Sequence, residues 1–251
     1  MEHIVDIQPV ILAAGKSMRM GVPDVPKVLF TINGEPMILR LLNELKRFPG
    51  LKKPIIVVGF RYDLVQARLG QDYIYAFQQG QLGTAHAVLA AKKPLEGRNI
   101  LVLNGDVPFI KAETLNKFAL QHKKKNALFS MLTSTIPTFE KEYAVFNGLG
   151  RIVRDGKKIS RIVEFGDATA EQRKILEINP GVYLFDANWL WQNIDQIQTN
   201  NKQKEYYLTD MVEIAGKKKV KIETMQVNPW EVYGINTKAH LKQAEEIANL
   251  V

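Results

Sequence analysis

The run Val10-Ile-Leu-Ala-Ala14, closed by Gly15, decides the fold class. Five apolar residues without alternation predict a short strand buried on both faces, ending in a tight turn of small residues. The same grammar recurs downstream. Pro36 opens an amphipathic helix with Met37, Ile38, Leu41, Leu42, Leu45 and Phe48 on one face. Pro54-Ile-Ile-Val-Val-Gly59 reads as a second strand, Tyr62–Leu69 as a short helix and Tyr73–Phe77 as a third strand. An Ala-rich helix runs from Thr84 to about Lys92. Asn99-Ile-Leu-Val-Leu103 is a fourth strand leading into Gly105-Asp106, with a helix over 112–124 and a strand over 127–133 behind it. Apolar strands alternating with helices predict an α/β fold, a mostly parallel sheet covered by helices on both faces. Ligands of such sheets sit beyond the carboxyl ends of the strands, and here those ends carry Gly15, Gln78 and Asp106.

After residue 135 the pattern loosens. Strands are expected over 143–147, 151–154, 159–165, 181–185 and 220–227, and helices near 168–176, 187–194, 207–217 and 237–250. With no Pro/Gly/Ser linker or internal repeat in between, this half reads as a mixed continuation of one domain over 1–251. A nucleotide lobe would occupy about 1–135 and a substrate lobe about 136–251.

Composition removes several function classes. The 251 residues include no cysteine, which excludes disulfides, thiolate metal sites and thiol nucleophiles. The four histidines, His3, His86, His122 and His240, are too dispersed to suggest a metal pair. The longest apolar run, Ile55–Val58, is strand-sized, and the opening MEHIVDIQP carries acids and no long apolar stretch. A soluble, cytoplasmic protein with no membrane partner is expected. Lys and Arg number 34 against 26 Asp and Glu, a net charge of +8 that favours anionic ligands. The runs Lys123–Lys125 and Lys217–Lys219 each follow an expected helix, where cations suit the negative end of the dipole. No basic stripe interleaved with aromatics appears, so nucleic acid is not an expected partner.

The first motif with chemistry is Leu12-Ala-Ala-Gly-Lys-Ser-Met-Arg-Met20, followed by Pro26-Lys27. Small residues directly after a buried strand let backbone N–H groups approach an anion closely. Arg19 as a fork and Lys27 as a point charge could then neutralise phosphate oxygens. The segment is neither a Walker loop nor a dinucleotide Gly-x-Gly-x-x-Gly, and alone it could be an ordinary strand–helix turn.

The segment resembles the opening signature of the sugar-phosphate nucleotidyltransferase family, whose cytidylyl- and molybdopterin-type relatives open similarly. Gln78-Gln-Gly-Gln-Leu-Gly-Thr-Ala-His-Ala87 is similar to the uracil-recognising segment of the uridylyltransferase branch, and Leu103-Asn-Gly-Asp-Val-Pro108 to its metal-binding strand end. Gly150-Arg-Ile, Ile162-Val-Glu164, Glu177-Ile-Asn179, Glu205-Tyr-Tyr-Leu-Thr-Asp210 and Gly234-Ile-Asn236 follow in the family's order. Together they most resemble the N-acetylglucosamine-1-phosphate uridylyltransferase branch, over nearly the whole chain. The resemblance implies a Rossmann-like fold with a mixed sugar-binding lobe. It implies Mg²⁺-dependent transfer of UMP from UTP to N-acetylglucosamine 1-phosphate, with release of pyrophosphate.

Residue by residue, the resemblance puts Leu12, Ala13, Ala14, Gly15, Gln78, Gly83 and Thr84 on the nucleotide, and Arg19 and Lys27 on the phosphates. Asp106 and Asn236 would hold Mg²⁺, and Asn104, Gly150, Glu164, Asn179, Tyr207 and Thr209 would line the sugar pocket. Mg²⁺ takes oxygen ligands, usually only one or two from protein. Each assignment has a local rival: Asp106 after Gly105 could shape a turn, Asn236 before a helix could be its cap, and Tyr207 could be a core aromatic. His86 is read as structural, because an already ionised sugar phosphate needs no general base. Trp189, Trp191 and Trp230 are read as packing residues.

Three departures from the family pattern stand out: Met18 at a position usually small, an extra residue near Gly21-Val-Pro-Asp24, and Asn104 where an aromatic usually precedes Gly-Asp. The last bears on the choice of acceptor, so glucose 1-phosphate or another sugar 1-phosphate is the nearest alternative, and a non-catalytic nucleotide-sugar sensor is another. The left-handed β-helix acetyltransferase domain of the bifunctional members is not found in this chain, which reads as a monofunctional protein or a fragment. No oligomeric state is implied.

Overall fold

Along the chain, β1 (Ile7–Leu12) precedes a small hairpin, β2 (Thr31–Ile32) and β3 (Glu35–Pro36), and helix α1 (Met37–Lys46). Then come β4 (Ile55–Val58), α2 (Tyr62–Leu69), β5 (Ile74–Phe77), α3 (Thr84–Ala90), β6 (Asn99–Asn104), α4 (Ala112–Lys124) and β7 (Phe129–Thr135). The second half supplies β8 (Gly150–Asp155), β9 (Lys158–Val163), α5 (Ala170–Arg173), β10 (Glu177–Asn179) and β11 (Tyr183–Asp186). It ends with α6 (Ala187–Asn193), α7 (Met211–Lys217), β12 (Ile222–Gln226) and α8 (Lys238–Ala248). The computed structural model describes residues 6–16, 20–22 and 24–249. Ser17, Met18 and Arg19 lie outside the described residues, and so does Pro23.

Among the described residues ten strands join one sheet in the order β5-β4-β1-β6-β11-β7-β10-β8-β9, with β12 also pairing β7. The block β5-β4-β1-β6 is parallel throughout. β11 runs antiparallel between β6 and β7, and β10, β8 and β9 continue antiparallel beyond it. The chain therefore builds outward from β1 through β4 to β5, then returns to add β6 on the other side of β1. That reversal leaves a crevice at the carboxyl ends of β1 and β6, where Leu12 stands directly opposite Asn104.

Burial on both faces explains the unbroken apolar runs. Ile11, Ile56, Leu101 and Leu103 point to one face and pack with Ile38, Leu41 and Leu42 of α1 and Leu115 and Phe118 of α4. Val10, Ile55, Val57, Ile100 and Val102 point to the other, against Ala85 and Val88 of α3, Leu190 of α6 and Met211 and Val212 of α7. Each such Leu or Ile, taken fully out of water, stabilises the fold by about 1.5–3 kcal/mol. The one polar side chain buried within β1, Gln8, is satisfied at both ends: Nε2 donates to Lys53 O and Oε1 accepts from the Glu96 and Gly97 amides. A third cluster, with Phe146, Tyr233, Ile235 and Ala244, sits under the hairpin and α8.

Several boundaries differ from expectation. The strand expected over 143–147 is a 3₁₀ helix, Lys141–Phe146. Its three-residue repeat puts Tyr143 and Phe146 on one side, within 5.4 and 5.1 Å of the Trp230 ring. Aromatic packing thus overrides the strand propensity of that run. The helix near 168–176 shrinks to α5, whose start is fixed by a capping box between Thr169 and Gln172. Strand β10 and the β2–β3 hairpin are too short to show a period in the sequence. Trp189 packs in the core against Phe129 and Phe185.

Candidate active site

The crevice opens into a cleft of about 300 Å³. Its floor is Leu12, Ala13, Ala14 and Gly15, from the end of β1, and its walls include Gln78, Gly83 and Thr84. Lys27, Asn104 and Asp106 complete the rim. All seven residues assigned to the nucleotide by resemblance thus come together in one cleft, at the carboxyl ends of two strands, β1 and β5. A second cavity of about 190 Å³ shares Leu12, Thr84 and Asn104 with the first, and is lined further by Gly150, Glu164, Asn179 and Thr209. Asn104 stands at the junction.

Gln78 is buried at the end of β5, and its carboxamide is oriented by its neighbours. Nε2 lies 3.2 Å from Gly83 O and 3.1 Å from His86 Nδ1. A carbonyl can only accept, so the amide nitrogen faces Gly83 and His86 Nδ1 accepts from it. Oε1 is left as the acceptor. His86 is structural in this sense: it holds Gln78. Gln81 was not singled out in the sequence, yet its Nε2 donates to Ala14 O at 2.6 Å and ties the floor to the wall. Its only signal in the sequence is its place as the third glutamine of Gln78-Gln-Gly-Gln81.

Any side chain at Gly83 would be strained. Its φ is +114°, and a Cβ there would lie 2.5 Å from Tyr206 O. The close approach lets Ala85 N donate to Tyr206 O at 2.9 Å and Leu208 N to Thr84 Oγ1 at 2.9 Å. The wall of the cleft is thereby strapped to the second half of the chain. The Thr84 hydroxyl oxygen already accepts one hydrogen bond there.

At the rim, Lys27 Nζ pairs with Asp106 Oδ2 and donates to Asn236 Oδ1 at 2.6 Å. The Lys27 and Asp106 side chains are 17% and 16% exposed, so solvent screens the pair less than a surface ion pair. Pro26 holds the backbone in front of Lys27 at φ −54° and ψ 135°, starting the 3₁₀ turn Lys27–Leu29. Asp106 lies in the turn two residues beyond β6, and its carbonyl accepts from Ile235 N at 3.0 Å, which brings the 234–236 loop alongside. Asn236 does not cap α8. Thr237 is the cap, its Oγ1 accepting from His240 N, and the Asn236 carboxamide oxygen faces Lys27 instead. Among the described residues no group of three or more His, Asp or Glu side chains gathers into a metal cluster.

In the second cavity Thr209 Oγ1 donates to Glu164 Oε1 at 3.3 Å. Burial pushes the Glu164 carboxyl up, and the nearby acids Asp167, Asp210 and Glu205 push it in the same direction. Asn179 Nδ2 donates to the Tyr183 hydroxyl at 2.7 Å, while Asn179 Oδ1 accepts from Gly181 N at 3.1 Å. Tyr183 lines this cavity and escaped the sequence reading, because it reads as an ordinary residue of a buried strand. Tyr207 does not line either of these cavities. Burial and the neighbouring Asp167 carboxylate, its hydrogen-bond partner, raise its phenol instead. Arg19 lies outside the described residues.

Residues 9–155, well over half of the chain, match the family described as MobA-like NTP transferase domain. The chain is 41% identical over 244 residues to the "Bifunctional protein GlmU" of Thermosipho melanesiensis, covering 96% of this chain and 50% of that protein. It is 38% identical over 244 residues to the protein of the same name from Halalkalibacterium halodurans, covering 95% and 51%. The chain spans about half the length of these relatives. Its fold is similar to that of a UDP-glucose pyrophosphorylase solved with UDP-glucose, with a TM-score of 0.78 at 15% identity over 98% of this chain and 99% of the other. The inositol-1-phosphate CTP transferase from T. maritima gives 0.73 at 16% identity over 97% and 95%. At such identities these two likenesses speak for the fold alone. No helix of the described residues is long and apolar enough to cross a membrane. On its match over residues 9–155, this chain belongs to the MobA-like NTP transferase family.

Proposed function

We propose that the chain transfers UMP from UTP to N-acetylglucosamine 1-phosphate, giving UDP-N-acetylglucosamine and pyrophosphate. One observation carries the reading. Two cavities meet at Leu12, Thr84 and Asn104, beside a rim where Lys27, Asp106 and Asn236 converge. Such a pair of sites suits in-line attack by a sugar-phosphate oxygen on the α-phosphorus of a bound triphosphate. The nucleotide half, about 1–135, and the sugar half, about 136–251, would form one domain around that junction.

In this reading the backbone of Leu12–Gly15 faces the nucleotide, and Gln78 Oε1 accepts from the imide N–H of uracil. Cytosine offers an acceptor at that position, which the oriented carboxamide disfavours. Lys27 and Arg19 stabilise the charge that develops at the phosphates. Because both reactants are anions, the protein's main work is positioning and fixed positive charge. Gly150, Glu164, Asn179 and Thr209 receive the sugar, with Asn104 between the two ligands; Tyr207 and Thr209 belong to one segment, and Tyr207 would act from behind it. The Asn104 departure keeps a second acceptor, such as glucose 1-phosphate, in view.

The rim suits a divalent metal ion. A carboxylate oxygen and a carboxamide oxygen, both hard donors, already converge on one positive charge, the Lys27 ammonium. Mg²⁺ bound by Asp106 and Asn236 would neutralise phosphate charge and orient the reacting groups. The same reading puts the enzyme in the cytoplasm with its two phosphorylated substrates. The test is pyrophosphate release over a panel of nucleoside triphosphates and sugar 1-phosphates, with and without Mg²⁺. UTP with N-acetylglucosamine 1-phosphate should be fastest and Mg²⁺ should be required. Tight UTP binding without turnover on any acceptor would favour a sensor and defeat the proposal.

A further inference from the structure

Arg151 is fully buried, and its hydrogen bonds among the described residues go to carbonyl and carboxamide oxygens, none to a carboxylate. A cation taken out of water needs compensation, and here carbonyl oxygens and aromatic faces supply it. Nε donates to Arg173 O at 3.2 Å, at the last residue of α5, where helix carbonyls lack internal partners. Nη2 donates to Asn147 O at 3.0 Å and to Asn147 Oδ1 at 2.8 Å, and Nη1 donates to Leu149 O. The guanidinium carbon lies 4.1 Å from the Phe139 ring centroid and 5.6 Å from that of Phe165. Burial and the neighbouring Arg173 pull Arg151 down to about 10, so it stays charged at neutral pH.

Three of these hydrogen bonds go to one short loop, Asn147-Gly-Leu149. Gly148, Leu149 and Gly150 form one wall of the second cavity, facing Glu164 and Asn179. The wall is tight: a Cβ on Gly150 would lie 3.3 Å from Glu164 Oε2. In a trans peptide the N–H lies opposite the C=O. The bond from Asn147 O to Arg151 therefore turns the Gly148 N–H away from the guanidinium, and Gly148 lines the cavity. Gly148 within this loop has no side chain to fix its conformation.

We infer that Arg151 is a positioning residue for the acceptor. Its buried guanidinium draws the Asn147 and Leu149 carbonyls inward and so holds the loop with the Gly148 N–H presented to an oxygen of the sugar phosphate. Nothing in this role touches the nucleotide cleft. The inference rests on the reading of the second cavity as the acceptor pocket.

The experiment is steady-state kinetics of the full chain, varying UTP and N-acetylglucosamine 1-phosphate separately, for the wild type, Arg151→Lys and Asn147→Ala. A lysine keeps the charge but cannot reach three loop acceptors at once. For Arg151→Lys the KM of the sugar phosphate should rise about tenfold, the loss expected for one hydrogen bond to a ligand, with the KM for UTP changed less than about twofold. Asn147→Ala, at an exposed position, should raise the sugar-phosphate KM about threefold at unchanged melting temperature. Should Arg151→Lys fail to fold, Asn147→Ala decides alone. A fall in stability with both KM values unchanged, or equal changes in the two, overturns the inference and leaves the proposed reaction standing. A wild type that turns over no sugar 1-phosphate overturns the reaction itself, and the acceptor role falls with it.

Discussion

Lys27 Nζ donates to Asn236 Oδ1 at 2.6 Å across 209 positions of sequence. The same ammonium pairs with Asp106, so one cation joins the start of the chain, the middle of the sheet and the loop before the last helix. Three short-range sequence features that each have an ordinary local explanation become one centre.

Asp106→Ala should slow pyrophosphate release on the order of 10²–10³-fold, the range seen when a preorganised electrostatic contact is removed. The melting temperature should change little, because Asp106 lies at the rim and not in the core. A coupled pyrophosphate assay with titrated Mg²⁺, beside circular dichroism, measures both. Near-normal turnover would discard the metal assignment.

Lys27→Ala should lower turnover about 10²-fold, because two anions meet without a fixed cation. Binding of N-acetylglucosamine 1-phosphate should change far less, since Lys27 lines only the first cleft of the two. Stopped-flow turnover with a separate binding titration distinguishes these effects. Unchanged kinetics would remove Lys27 from the site.

Gln78→Ala should relax base choice, cutting the preference for UTP over CTP about tenfold. The oriented Oε1 acceptor is lost, while the phosphate contacts of the floor are retained. The ratio of kcat/KM for the two triphosphates is the readout. A preference for UTP that survives intact places base recognition elsewhere in the cleft.

Gly83→Ala should destabilise the protein by about 1–3 kcal/mol, from the positive φ together with the clash against the backbone of Tyr206. Urea denaturation measures the loss. Because Gly83 straps the two halves of the chain, the KM values for both substrates should rise in this variant. A variant as stable as the wild type would mean that the strap between Gly83 and Tyr206 yields without cost.

His122 is buried at the far end of the sheet, with Nδ1 2.7 Å from Ser130 Oγ, and burial lowers its pKa from 6.5 to about 4. Between those values the unfolded chain binds a proton that the folded chain refuses. Stability should therefore be full above about pH 6.5 and fall as pH drops towards 4, by about 3 kcal/mol in total. His122→Gln should flatten that part of the profile. Thermal melts at half-unit pH steps test the slope, and identical profiles for the two proteins would assign the acid sensitivity to other groups.

Much of the fold was legible because parallel strands and amphipathic helices carry their own period. Tyr62–Leu69 and 112–124 were read to the residue, since each has a sharp polar or glycine boundary. The run 143–147 has the pattern of a strand, yet it folds within the 3₁₀ helix Lys141–Phe146, packed on Trp230 far along the chain. The cleft-lining segments stand out through the small residues after β1 and the resemblance of 78–87 to a family segment, and they meet in one cleft. Tyr207 and Thr209, two residues apart on one irregular segment, differ in place: Leu208 and Thr209 line the second cavity and Tyr207 does not. Tyr183 carries no such signal, because nothing local separates a lining side chain from a packing one on a buried strand.

By itself, then, the sequence determined the parallel block, the positions of its carboxyl-end loops and the residue types available for phosphate chemistry, since these follow from periodicity and backbone sterics within a few residues. Tertiary structure alone decided that Asn236 faces Lys27 and not the helix it precedes, that Gln78 presents its oxygen, and that a buried arginine braces the wall of the second cavity. Each of those depends on a hydrogen-bond partner brought close by packing, and partners of that kind leave no trace in local sequence pattern.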